Sequence, residues 1–312
     1  MTFQSVNFNV FSMVDTLSSR ATQSRHPAPG ALLELLKPIT WFAPMWAFMC
    51  GVVSSGVPIL DAWPMLILGA LLAGPLVCGT SQAVNDWFDR HVDAINEPNR
   101  PIPSGRVPGR WGLYVGIVWS AVSLAVATLL GVWVVAAVCV GLVLAWLYSA
   151  PPIRLKGNGW FGCLAVGLCY EGLPWFTGTA AMIGGLPDTP VLLLAGLYSL
   201  GAFGIMTLND FKAVEGDQAL GIRSLPVQLG VRPAAWLACV VMALPQVAVS
   251  LLLFSWGAAL AGALVAALLA VQVVLMVRLL EDPRAYASWY NATGTTLYVL
   301  GMLAGAVALR GL

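Results

Sequence analysis

Hydrophobic positions along the chain fall into nine long runs divided by short polar stretches, without the every-other-residue alternation of β-strands. The runs span residues 39–58, 63–84, 112–130, 132–150, 160–183, 190–209, 233–254, 257–279 and 291–310. Most approach the roughly 20 residues that carry a helix across a bilayer. Helices are the required form, because lipid offers no partner to an open backbone amide or carbonyl. The pattern predicts an all-α polytopic membrane bundle of nine transmembrane helices around a central cavity, with acidic loops on the cytoplasmic side. Residues 1–30 are polar and lack an apolar signal-peptide core, so a mobile cytoplasmic tail is expected there. A short interfacial helix is expected over Leu32–Lys37, and residues 31–312 form one transmembrane domain.

Composition narrows the class. Charged residues make up 9% of the chain and hydrophobic residues 59%, against about 25% charged in soluble domains. Of the 15 Lys and Arg residues, all but Arg310 lie in the N-terminal segment or in the loops 85–111, 151–159, 210–232 and 280–290 with their margins. The positive-inside rule places those loops and the N-terminus in the cytoplasm and the C-terminus in the periplasm of a bacterial inner membrane. Tryptophans near the span ends fit an interfacial anchoring belt. The six cysteines form no CxxC pair, and the two histidines, His26 and His91, are too few for a multi-histidine metal site. With a net charge of +1 and no basic patch, no nucleic-acid partner is expected.

Within this apolar chain, Asn85-Asp86-Trp87-Phe88-Asp89-Arg90-His91-Val92-Asp93 stands apart. Asn85, Asp89 and Asp93 follow one another at helical i, i+4 spacing and Asp86 precedes Asp89 by three, so on a helix they crowd one side. Carboxylates packed this way repel unless a cation sits among them, and oxygen-only ligands suit Mg²⁺, which also binds substrate phosphates. A second segment echoes the first. Asn209-Asp210-Phe211 ends the sixth span, Asp217 follows, and Arg223-Ser224-Leu225-Pro226 answers Arg100-Pro101-Ile102-Pro103. The motifs at 85–106 and 209–226 are expected to face each other across one cavity, as internal repeats do around central sites. The metal set expected from them is Asn85, Asp86, Asp89, Asp93, Asp210 and Asp217. Glu215 lies around the helix from the two aspartates and is expected to point elsewhere.

Basic residues on the same side complete an anion site. Arg100, Arg154, Lys156, Lys212 and Arg223, with Asn85 and Tyr148, are the candidate diphosphate contacts, because arginine grips phosphate bidentately and lysine acts as a point charge. Glu171 sits in the middle of the fifth span, where an ionisable residue is costly and reads as functional, here as an acceptor contact. Pro174 is expected to kink that span. These parts suit cleavage of an allylic diphosphate beside a carboxylate acceptor, which is ionised at neutral pH and needs no general base. The catalytic roles fall to Asp89, Asp93, Asp217 and Arg100. A secondary transporter shares repeats and intramembrane acids, but its site would lie near the midplane rather than at the border.

The two motifs resemble those of the UbiA superfamily of intramembrane prenyltransferases over almost the whole chain. Asp93-Ala94-Ile95-Asn96-Glu97-Pro98, Arg100–Gly105, Asn209–Asp217 and Gly221–Val227 are similar to the chlorophyll and bacteriochlorophyll synthases, and Trp87-Phe88, His91 and Gly109–Tyr114 to the latter. The resemblance implies a Mg²⁺-dependent transfer of a geranylgeranyl or phytyl group from its diphosphate to the propionate of a (bacterio)chlorophyllide. It also implies a lipid-bilayer setting and leaves room for association with other pigment-biosynthesis or assembly membrane proteins. A superfamily relative acting on an aromatic or quinone precursor is the alternative reading. His91 is a further acceptor candidate, as a ligand to the chlorin magnesium. One departure is Ala213, which stands where many superfamily members carry the first aspartate of the second motif.

Overall fold

The computed structural model describes residues 26–219 and 221–311. Most of the expected mobile tail therefore lies outside the described residues. Among the described residues the chain is helical, and its one β-bridge pairs Asn158 with Arg223. A short helix α1 (Pro29–Leu35) precedes α2 (Phe42–Ser54), which fits the expected element near Leu32–Lys37. Next come α3 (Trp63–Leu71) and α4 (Gly79–Asn96), joined by a π-helical stretch at Leu72–Cys78. The helices α5 (Trp111–Leu130) and α6 (Val132–Ser149) follow. Then α7 (Gly159–Gly167) and α8 (Leu173–Ile183) are again joined by a π-helical stretch, Leu168–Gly172. The second half holds α9 (Thr189–Asp210), the short α10 (Val214–Ala219) and α11 (Leu225–Leu229), and three long helices. These are α12 (Val231–Ser255), α13 (Ala259–Glu281) and α14 (Pro283–Leu309).

Seven helical stretches among the described residues are long and apolar enough to cross a membrane. An eighth is added if Pro29–Thr40 and Phe42–Ser54, bent by 58°, count as one span. The expected span at 160–183 falls on α7, the π stretch and α8, none of which reaches spanning length alone. Proline explains both π stretches. Pro75 lies inside the first and Pro174 starts α8 directly after the second; each lacks an N–H and crowds the preceding turn, so the helix widens there.

The second span runs further than the sequence suggests. Residues 85–96 belong to α4 rather than to a loop, so the whole first motif is helical. By contrast, α9 ends at Asp210 and the chain turns before α10, which separates Asp210 from Asp217 by a break. Three large apolar clusters hold the frame, one of them packing α9, α12, α13 and α14 around Phe211, Met242 and Tyr290. A second joins α2, α8, α9, α12, α13 and α14 around Trp175, Tyr198 and Tyr298; the third packs α5, α6 and α8 against the first π stretch. A smaller cluster seats Ala31, Leu35 and Leu36 against Ala83, Val107 and Val115, tying α1 to α4.

Candidate active site

The first motif divides its polar side chains between two sides of α4. At about 100° per residue, Asn85 and Asp89 fall roughly 40° apart, while Asp86 and Asp93 fall within about 20° of each other. Asn85 donates to Ser149 Oγ at 3.2 Å. Asp89 is held by Lys156 Nζ at 2.5 Å and Arg154 Nη2 at 3.4 Å. On the neighbouring side, Asp86 pairs with Lys37 Nζ at 2.6 Å and lies 3.6 Å from Arg100 Nη1. The same guanidinium nitrogen donates to Asp93 at 2.9 Å, and Nε of Arg100 reaches Glu97 at 2.7 Å. Asp86 is 1% exposed, and its Oδ2 has no partner.

A cavity of about 260 Å³ opens beside Asn85. Its polar end holds Ser81, Gln82, Asn85, Tyr148 and Tyr170, and its inner wall is apolar, with Leu72, Val77, Val138, Gly141 and Leu173. Gln82 Nε2 donates to the Tyr170 hydroxyl at 3.1 Å. The Tyr148 hydroxyl lies within electrostatic range of Asp89 of the first motif and of Asp210 and Asp217 of the second.

The segment between α6 and α7 joins the two motifs. Its side chains, Arg154 and Lys156, reach Asp89 of the first. Its backbone pairs with the second, Gly159 N–H donating to Arg223 O at 2.8 Å and Arg223 N–H to Gly157 O at 3.1 Å. Gly159 is required at this crossing, since a Cβ there would lie 2.5 Å from the Leu225 nitrogen. Burial pulls the Lys156 ammonium below the ordinary lysine range, against the upward pull of Asp89. Burial pushes Asp217 up, with the Ser224 hydroxyl working the other way.

A UbiA prenyltransferase family profile matches residues 41–297. The chain belongs to the UbiA prenyltransferase family. This UbiA chain is 57% identical over 286 residues to the bacteriochlorophyll synthase 33 kDa chain of Cereibacter sphaeroides, covering 92% of this chain and 95% of that protein. It is 53% identical to the bacteriochlorophyll synthase 33 kDa chain of Rhodobacter capsulatus, over 91% and 95% of the two chains. The fold is shared with a solved UbiA homologue from Archaeoglobus fulgidus bound to GPP and Mg²⁺. The TM-score is 0.72 at 18% identity, over 90% of this chain and 100% of that one.

The residues expected to form the UbiA site do not all meet. Asn85 and Tyr148 line the cavity, and Asp89, one turn beyond Asn85 on α4, pairs with Arg154 and Lys156. Asp86, Asp93 and Arg100 pair on the adjoining side of α4. Lys212 lines a separate cleft with Asn209, Ser288 and Asn291. Arg223 is exposed and contributes its backbone, and His91 is exposed on α4. Glu215 pairs with Arg284 at 2.8 Å, away from the aspartates as expected. Glu171 is 4% exposed, its Oε2 unpartnered, one residue beyond cavity-lining Tyr170 and within electrostatic range of Cys50 and Tyr298. Lys37, Ser149, Gln82 and Tyr170 join the site without having been expected there. Lys37 has a visible signal in the sequence, as a lone cation at the edge of the first span; the other three lie inside apolar runs and carry none.

Among the described residues no three His, Cys, Asp or Glu side chains group as a closed metal cage. Mg²⁺ does not require one, because it binds through one or two carboxylates together with substrate phosphates and water. The candidate donors are hard oxygens on three elements, Asn85 and Asp89 on α4, Asp210 at the end of α9 and Asp217 on α10. That set fits a metal shared with a diphosphate.

Proposed function

We infer that this chain transfers a prenyl group, geranylgeranyl or phytyl, from its diphosphate to the propionate carboxylate of a bacteriochlorophyllide or chlorophyllide. The observation that carries the reading is the apolar cavity with Asn85 of the first acidic motif and Tyr148 at its polar end, next to Asp89 and its two cations. High identity to bacteriochlorophyll synthases along nearly the full length supports the acceptor class.

The chemistry divides among the residues present. The prenyl tail lies along the apolar wall, and the diphosphate sits at the mouth. Asn85, Asp89, Asp210 and Asp217 would hold Mg²⁺, which supplies Lewis-acid neutralisation of the leaving diphosphate. Lys156 and Arg154 place fixed positive charge where negative charge grows on the departing oxygens. Tyr148 orients the diphosphate from the cavity side. The apolar wall keeps water from the allylic cation, and the acceptor carboxylate, already ionised, attacks it to form the ester. Asp93 and Arg100 support this arrangement from the adjoining side of α4.

The same reading takes nine spans, with α7 and α8 together forming the fifth, in a bacterial inner membrane. The basic loops, the N-terminus and both motifs then lie in the cytoplasm and the C-terminus in the periplasm. Residues 31–312 act as one prenyltransferase domain.

The direct test supplies membranes containing the protein with Mg²⁺, geranylgeranyl diphosphate and both chlorophyllide and bacteriochlorophyllide in competition. The expected product is the bacteriochlorophyllide ester with free diphosphate. Ester on neither tetrapyrrole, with prenylation of an aromatic or quinone precursor instead, would overturn the acceptor assignment.

Gly141 offers a test of the tail site. It lines the cavity, and a Cβ there meets only ordinary contacts, Leu173 and Val77 at 3.7 Å. Gly141→Phe is therefore expected to fill the inner cavity without disturbing the helices. In competition between prenyl diphosphates, preference should shift toward shorter chains by about 10-fold or more, on the scale of a few methylenes lost from a hydrophobic pocket. An unchanged chain-length preference would place the tail elsewhere.

A further inference from the structure

Among the described residues, two that are not glycine adopt the left-handed backbone region: Lys37, with φ 47°, and Arg154, with φ 42°. L side chains enter this region only at an energetic cost, and such outliers gather where a side chain must be aimed. Both are basic, and both grip carboxylates of the same helix. Arg154 reaches Asp89 at 3.4 Å, on the cavity side, and Lys37 reaches Asp86 at 2.6 Å, on the adjoining side. Arg154 has a place in the chemistry above. Lys37, which lies outside both motifs, has none.

Helix α4 has a reason to need holding. It continues directly from the π-helical stretch Leu72–Cys78, whose widened turns offset the rotation of α4 from that of a regular continuation of α3. About 100° of helix rotation separates neighbouring residues, so a modest twist of α4 would swing Asn85 and Asp89 off the cavity mouth. Asp86 and Asp93 lie on nearly one line along α4 and are tied to cations from two different segments, Lys37 before α2 and Arg100 after α4. Asp86 is also buried, with its Oδ2 unpartnered. Lys37 is itself anchored, because Leu35 and Leu36 pack against Ala83 on α4.

We propose that Lys37 is a positioning residue for diphosphate cleavage: through Asp86 it sets the rotation of α4 and so aims Asn85 and Asp89 into the cavity. The proposal rests on the function inferred above, and it assigns to the segment before the first span a part in the chemistry.

Lys37→Gly is the informative substitution, because glycine suits the left-handed backbone and removes only the side chain with its ammonium. Lys37→Gly and Asp86→Asn are each expected to lower kcat about 10-fold or more, the scale for losing an outer support of a metal site. KM for the tetrapyrrole should stay near wild type. The double variant should be no slower than the slower single, since both remove one interaction. Hydrogen exchange without substrate or metal should be faster over residues 85–96 in both singles. Glu34→Gln, which removes only the exposed pair with Arg106, should match wild type in both measurements. Wild-type kcat in Lys37→Gly, unchanged exchange over 85–96, or losses that multiply in the double variant would each overturn the proposal. Wild-type turnover in the same membranes checks the parent function separately.

Discussion

Replacing Asp89 with Asn is expected to reduce ester formation by about two to three orders of magnitude, the scale for removing one well-placed electrostatic group from a transition state. Asp89 is the one carboxylate of the first motif that faces the α6–α7 segment, where Lys156 and Arg154 converge on it. The amide keeps the shape and loses the charge, so it weakens any cation at the mouth and leaves two basic side chains without their counter-ion. Membrane insertion should persist, because the helix and its apolar contacts are untouched. The check is diphosphate release at saturating Mg²⁺, with protein in the membrane quantified in parallel. Near-wild-type release would remove Asp89 from the metal set and would shift the chemistry toward the second motif.

Gly178→Ala is expected to have the largest effect on stability. A Cβ at Gly178 would lie 2.1 Å from the Phe48 carbonyl oxygen and 2.9 Å from the Val52 nitrogen. Across the same crossing, a Cβ at Gly51 would lie 2.0 Å from the Trp175 carbonyl oxygen. The backbones of α2 and α8 touch here, and the contact is secured by Thr179 Oγ1 donating to Gly51 O at 2.8 Å and Trp175 Nε1 donating to Ser54 Oγ at 2.9 Å. Small residues permit such approaches in lipid, where helix association depends on packing and interhelical hydrogen bonds. One added methyl must push backbone apart, at about 1–3 kcal/mol or more. The expected results are a lower melting temperature in detergent and a poorer yield of extractable protein. Activity should fall as well, since Pro44 of α2 and Thr177 of α8 both line the cavity. Unchanged melting would mean that the two helices separate easily, and that this crossing does not hold the cavity wall.

The site was unevenly legible in the sequence. Asp89 and its neighbours stood out because carboxylates are rare in an apolar chain and their helical spacing is a local property. The two motifs were also legible as a pair from their matching order of residues. Lys156 and Arg154 could be placed on the same side of the membrane as the motifs but not onto Asp89. Their contact depends on the backbone pairing of Gly157 and Gly159 with Arg223, which joins distant segments. Lys212 illustrates the opposite case. It follows Asp210 by two residues, yet the chain turns it to another cleft with Asn291. A break in a helix cannot be read from charge spacing, and it leaves Asp210 at the end of α9 and Asp217 on α10.

By itself the sequence determined that this is a helical membrane protein with two acidic motifs, because hydrophobic run length and local charge spacing do not depend on what packs against them. It also carried the family, since the motifs are long and contiguous. Tertiary structure alone decided which side of α4 does which work. Asn85 opens onto the cavity and Asp89 turns to Lys156 and Arg154, while Asp86 and Asp93 turn to Lys37 and Arg100. That division depends on helix rotation, which is set by the π stretch around Pro75 and by cations arriving from separate parts of the chain, and no local pattern encodes the sum of those contacts.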